Sequence, residues 1–158
     1  MVRKVAILMG SQSDSEIMKA CEDTLQYFGI PYETSVMSAH RDPEKVNAFV
    51  CAAEENGFSV IIAGAGMAAH LPGVIASQTT LPVIGVPLDA SSLGGVDALY
   101  SIVQMPPGIP VATVAIGKSG AKNAAILAAE IFALDNSALK QKLKDFRASG
   151  SKLPKKQS

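Results

Sequence analysis

The chain has 158 residues, no formal net charge and a 48% share of hydrophobic residues. That length suits one domain with one sizeable core, and the balanced charge gives no global pull toward nucleic acid or a membrane surface. No apolar run is long enough to span a bilayer, and Ser11 interrupts the N-terminal apolar run too early for a signal peptide.

Lys4 to Met9 reads as a buried strand, followed by the polar loop Gly10-Ser11-Gln12-Ser13-Asp14. Ser13 and Glu16 have capping-box spacing, and Ile17, Cys21, Leu25 and Phe28 recur behind them at helical intervals. Gly29 ends this helix and Pro31 prevents its return. Tyr32 to Met37 is a second strand. Ser38-Ala39-His40-Arg41 comes next, then Asp42-Pro43 as cap and first residue of a helix to Asn56, with Val46, Phe49, Val50 and Ala53 on its inner face.

Val60 to Ala63 is a third strand, and the loop Gly64 to Ala69 leads into His70-Leu71-Pro72-Gly73 and a short helix to Gln78. Val83 to Val86 is a fourth strand. A helix from about Val96 to Gln104 is broken by Pro106-Pro107-Gly108, and Val111 to Ile116 is a fifth strand. Lys118 to Leu134 is an Ala-rich helix, apolar nearly all round, which predicts burial on nearly all sides and hence subunit contacts. Ser137 opens an amphipathic helix with Leu139, Leu143 and Phe146 inward.

Five apolar strands alternating with helices predict a parallel sheet covered on both faces. We expect a single α/β domain over 1–150 and a basic, disordered tail over 151–158. From Ser137 onward seven Lys or Arg face one acid, Asp145, a pattern read as a solvated helix face with its tail rather than a polyanion site. Cys21 and Cys51 lie in apolar helical patterns and read as buried thiols of a reducing, cytoplasmic compartment. They have no metal-site spacing.

In such sheets ligands bind beyond the carboxyl ends of the strands. The loops after the first three strands lie at that edge, bringing Ser11, Asp14, His40, Arg41 and His70 to one side. Gly10 to Asp14 at a helix start suits a phosphate, with hydroxyls and backbone N–H groups at the positive end of a helix dipole. It is neither a Walker loop nor a G-x-G-x-x-G turn, and taken alone it is a structural cap as often as a ligand site. The Gly64-x-Gly66 turn is similar but weaker. Arg41 suits phosphate recognition, and His40 is the side chain able to move a proton near neutral pH. His70 either orients a ligand or ties down its loop. Two histidines without acids at metal spacing argue against zinc. The residues alone thus predict a site for a phosphorylated metabolite with one proton-moving histidine, and leave the reaction open.

Gly10-Ser11-Gln12-Ser13-Asp14, Ser38-Ala39-His40-Arg41, Ala63-Gly64-Ala65-Gly66 with His70-Leu71-Pro72-Gly73, and Ser101 to Pro106 with Gly108 to Val111 occur in order. On these motifs, from about Val5 to Ala148, the chain resembles the class I N5-carboxyaminoimidazole ribonucleotide mutases of purine biosynthesis. The resemblance implies a flavodoxin-like three-layer α/β/α sandwich, a homo-octamer, and carboxylate transfer from the exocyclic nitrogen to ring carbon 4 of a phosphorylated aminoimidazole ribonucleotide. It implies no ATP, metal, biotin or other cofactor, and allows a transient contact with the preceding carboxylating enzyme. By motif match His40 is the catalytic acid and base. Ser11, Ser13, Asp14, Ser38, Ala39, Arg41, Gly66, His70 and Leu71 fall at substrate-binding positions, Arg41 holding the phosphate with help from Ser38.

A small apolar pocket walled by Ala39, Ala69 and Leu71 is expected to hold freed carbon dioxide. Two residues depart from the family pattern: Ser15, where a large apolar residue is commoner, and Met67, where a glycine is frequent. The rival readings are a direct aminoimidazole ribonucleotide carboxylase using free carbon dioxide, in which a lysine more usually follows the histidine, and a non-catalytic phosphometabolite- or flavin-binding module.

Overall fold

The computed structural model describes residues 3–154. Five parallel strands lie in the order β2-β1-β3-β4-β5. They are β1 (Lys4–Met9), β2 (Tyr32–Val36), β3 (Phe58–Gly66), β4 (Val83–Leu88) and β5 (Ala112–Thr113). The helices are α1 (Ser15–Phe28), α2 (Pro43–Ala52), α3 (Leu71–Ala76), α4 (Val96–Val103), α5 (Gly117–Phe132) and α6 (Ser137–Ala148).

Successive strand residues point to opposite faces, and here both faces are covered. Val5, Ile7, Val60 and Ile62 pack against α1, α5 and α6. Ala6, Leu8, Ile61 and Ala63 pack against α2, α3 and α4. Central strands therefore read as apolar runs, while the edge strand β2 (Tyr-Glu-Thr-Ser-Val) keeps polar residues exposed. This is the flavodoxin-like three-layer sandwich.

Strand order places the switch point between β1 and β3, because the chain leaves β1 for β2 on one side and returns for β3 on the other. The register aligns the ends there. Met9 stands beside Val36 and beside Gly64, so the loops that follow start next to one another.

Several boundaries differ from the sequence reading. Strand β3 runs through Gly64 to Gly66, because those residues pair with Val86 to Leu88 and are not released into a loop. Strand β4 continues to Leu88 through Pro87, and β5 shrinks to two residues. Helix α2 ends at Ala52, short of Asn56, and a turn leads into β3. Gly29 caps α1 as expected, at φ 74°, where its N–H reaches the Leu25 and Gln26 carbonyls.

Only one cysteine matches its expectation. Cys21 is fully buried, and burial pushes its thiol up from the usual value. Cys51 is exposed on the outer side of α2, where its thiol donates to Asn47 Oδ1 at 3.1 Å. A thiol reagent is thus expected to titrate one cysteine in the folded protein and both in denaturant; two fast thiols under native conditions would contradict this packing.

The Ala-rich helix is also covered differently from its expectation. Within the chain α5 packs on α1, β4 and α6, which bury Ala121, Ala124, Ala125, Ala128, Ala129 and Phe132. The described large apolar side chains left exposed are Met67, Leu93, Val96, Tyr100, Val103 and Leu134, four of them on or just before α4. Beyond Gly150 the chain is described to Pro154, with Leu153 half-buried against the α1–α5–α6 layer. The rest of the expected tail, residues 155–158, lies outside the described residues. Among the described residues no helix is long and apolar enough to cross a membrane.

Candidate active site

After Met9 the chain turns at Gly10 and enters a short 3-10 turn, Gln12–Asp14, that runs directly into α1. Ser11 is its cap. The Ser13 N–H donates to Ser11 Oγ at 3.3 Å, the Ser13 hydroxyl donates to the same oxygen at 2.9 Å, and the Ser11 N–H donates to Asp14 Oδ2 at 3.0 Å. The capping box expected at Ser13 and Glu16 is therefore at Ser11 and Asp14, because the added turn moves the helical start two residues earlier. Ser15, the departure from the family pattern, begins α1 and donates its hydroxyl to the Gln12 carbonyl at 2.6 Å.

The second loop is built on Ser38, which is buried. Its Oγ accepts from the His40 N–H at 3.3 Å and from the Arg41 N–H at 3.2 Å, and the Asp42 N–H donates to its carbonyl at 2.8 Å. Asp42 turns its carboxylate back to the Ser38 N–H at 3.3 Å and makes no side-chain cap to α2. The Ser38 oxygen that was expected to help with phosphate is thus engaged in shaping the loop that presents His40 and Arg41. Arg41 reaches back to β1, where its Nη2 donates to the Gly10 carbonyl at 2.9 Å. Its guanidinium is held beside the Ser11–Asp14 turn, with the side chain still exposed.

From the third loop comes His70, at the head of α3. His40 Nε2 and His70 Nδ1 are 2.7 Å apart, and the rings meet edge to face at 80°. One ring nitrogen must donate and the other accept, so a single proton bridges the two imidazoles in whichever tautomer holds it.

These loops line one open cleft of about 520 Å3 together with Ala39, Ala65, Gly66, Met67, Ala68, Leu71 and Ala90. Every candidate site residue from the sequence lies in it. Of the expected apolar wall, Ala39 and Leu71 line the cleft, whereas Ala69 is 1% exposed and packs into the core behind it. Ala65, Ala68 and Ala90 complete the lining and were missed. Ala90 belongs to the loop after β4 and has no side-chain chemistry to single it out. Its signal is steric: a Cβ on Gly66 would stand 2.6 Å from the Ala90 Cβ, so the loops after β3 and β4 touch only because residue 66 is glycine. Among the described residues no group of three or more His, Cys, Asp or Glu is gathered as for a metal ion.

Asp14 is the buried acid of the cleft, 8% exposed. Burial raises its pKa above the usual 3.8, opposed by the Ser11 N–H and by the Arg41 charge. A folded-state pKa above the unfolded one favours the protonated folded form, so ionised Asp14 reduces stability as pH rises through that raised value. Asp14→Asn is therefore expected to hold or raise the melting temperature at pH 7, with the advantage vanishing toward about pH 3. The amide oxygen of the variant side chain can still accept from the Ser11 N–H. A thermal scan across pH checks this; a variant less stable at pH 7 than at low pH, relative to wild type, would contradict it.

A family model described as AIR carboxylase matches residues 4–152. The N5-carboxyaminoimidazole ribonucleotide mutase of Escherichia coli K12 is 56% identical over 144 residues, 91% of this chain and 85% of that protein. The mutase of the same name from Pyrococcus abyssi is 56% identical, over 91% of this chain and 82% of its own length. Among solved structures, Treponema denticola PurE superposes with a TM-score of 0.84 at 32% identity, over 94% of this chain and 92% of that one.

Proposed function

The chain belongs to the AIR carboxylase family, and from that membership we propose that it is an N5-carboxyaminoimidazole ribonucleotide mutase of purine biosynthesis. It converts the N5-carbamate of aminoimidazole ribonucleotide into the 4-carboxy isomer. The observation that carries the site assignment is the contact between His40 and His70, both lining a cleft whose neighbouring loops suit a ribonucleotide phosphate.

His40 delivers a proton to the exocyclic nitrogen of the substrate. The carbon–nitrogen bond then breaks, its electron pair stays on nitrogen, and carbon dioxide is released inside the cleft. The electron-rich ring attacks that carbon dioxide through carbon 4, forming the carbon–carbon bond. His40, now an acceptor, removes the proton from carbon 4 and restores the aromatic ring. One proton goes out and one comes back, so no cofactor enters the balance, and positioned proton transfer is within reach of a single imidazole. His70 is the positioning partner, since its ring holds the direction of His40 across a 2.7 Å contact.

Arg41 and the N–H groups and hydroxyls of Ser11 and Ser13 hold the phosphate, and Asp14 accepts from the ribose hydroxyls. Ser38 acts through the loop, and Ala39, Gly66 and Leu71 bound the ring and the freed carbon dioxide. A homo-octamer is part of the proposal, and the exposed apolar residues Leu93, Val96, Tyr100 and Val103 offer the surface it needs. The reading also places the protein in the cytoplasm, where a transient contact with the preceding carboxylating enzyme would shorten the exposure of the carbamate to water.

Two substrate mixtures test the reaction, each with chelator and without ATP. The mutase forms the 4-carboxy product promptly from the N5-carbamate and not from aminoimidazole ribonucleotide with bicarbonate. Prompt product from aminoimidazole ribonucleotide with bicarbonate, and from the carbamate only as it breaks down, would make it the direct carboxylase. Binding without product from either would leave a non-catalytic module.

A further inference from the structure

Met67 is the one residue of the cleft whose backbone works against its side chain. It follows the last residue of β3 and has φ 55°, in the left-handed region that favours glycine. The only other described non-glycine residue with positive φ is Ser151, after the end of α6. The conformation is locked from both sides. Gly66 before it is paired with Leu88 and pressed on Ala90, while the Ala69 N–H donates to the Met67 carbonyl at 2.9 Å and the His70 N–H to the Ala68 carbonyl at 2.8 Å.

The side chain gains no core packing in return. It is 60% exposed, belongs to neither core cluster and lies at the cleft rim on the loop that carries His70. A glycine would relieve the strain and remove an apolar group from water. Strain kept without packing, at the rim of a site, points to a function.

We infer that Met67 is a retention residue: its unbranched thioether closes over the bound imidazole and keeps released carbon dioxide against carbon 4. This rests on the mutase reading, in which a small neutral intermediate must stay until it is captured. A flexible, polarizable side chain adapts to the ring in the carbamate and in the carboxylate. Closing the mouth also excludes water from the freed carbon dioxide. Without Met67 the first half of the reaction proceeds unchanged, and a larger share of the freed carbon dioxide escapes before carbon 4 captures it, leaving aminoimidazole ribonucleotide and bicarbonate beside the remaining product.

The test follows carboxyl-labelled N5-carbamate with wild type, Met67→Gly and Met67→Leu, scoring label on carbon 4 against label released. Spontaneous carbamate breakdown is subtracted from a blank without enzyme. Met67→Gly is expected to raise enzyme-dependent release several-fold, to lower product formed per carbamate consumed and to raise the melting temperature. Met67→Leu is expected to recover most of the wild-type partition. An unchanged partition in Met67→Gly overturns the inference, including the case in which only the oligomeric state changes. If wild type itself puts no label on carbon 4, the mutase reading fails, and the inference with it.

Discussion

Replacing His40 with asparagine is expected to leave ribonucleotide binding close to wild type and to lower turnover by about 10²-fold or more, the usual worth of a positioned proton donor and acceptor. Asparagine keeps a polar group near the His70 ring but cannot carry a proton between the exocyclic nitrogen and carbon 4. The loop should survive, because the backbone N–H groups of residues 40 and 41 are held by Ser38 Oγ and not by the His40 side chain. Single-turnover rates with saturating carbamate, beside a binding measurement with the 4-carboxy product, separate chemistry from affinity. Near-normal turnover would remove His40 from the mechanism. Lost binding with intact folding would instead make it a ligand group.

Truncating Arg41 to alanine is expected to raise KM by about 10- to 100-fold, since a charge-assisted hydrogen bond contributes roughly 1.5–3 kcal/mol. Arg41→Lys should fall between, because an ammonium restores charge but not the planar fork that matches a phosphate. The Arg41–Gly10 contact explains how an exposed side chain can be held in place: Nη2 is anchored on the β1 end, which leaves the other guanidinium N–H groups for the ligand. Arg41 also lowers the pKa of buried Asp14 by its charge, so its loss should raise the pKa of Asp14 further and narrow the pH range of binding from the acid side. Steady-state kinetics across pH read both effects; an unchanged KM would refute the phosphate assignment.

The fold and most of the site were legible in the sequence for one physical reason. A parallel sheet buried on both faces gives apolar strands, and its connections deliver the polar loops after β1, β2 and β3 to the same edge. Some matters of tertiary contact were not legible. Ser38 advertised a hydroxyl for the ligand, while its oxygen organises backbone N–H groups two and three residues on. Ala90 has no chemistry to advertise and reaches the cleft only because β3 and β4 pair through Gly66 and Leu88.

Apolar type also stood in for burial where neighbours decide. Cys51 is apolar in kind and exposed in fact, and the Ala-rich α5 is covered by its own chain while α4 keeps the bare face. Met67 gave only a hint, as a residue where the family often has glycine. Its left-handed backbone turns that hint into a testable role.

The most direct test of the account follows label position in the reverse direction. Carboxyl-labelled 4-carboxy-5-aminoimidazole ribonucleotide is mixed with enzyme and chelator, without ATP, and the carbon signal is read promptly. The account predicts label on the exocyclic nitrogen before it is seen as bicarbonate. Label released from the outset as carbon dioxide or bicarbonate, with none on nitrogen, would contradict it.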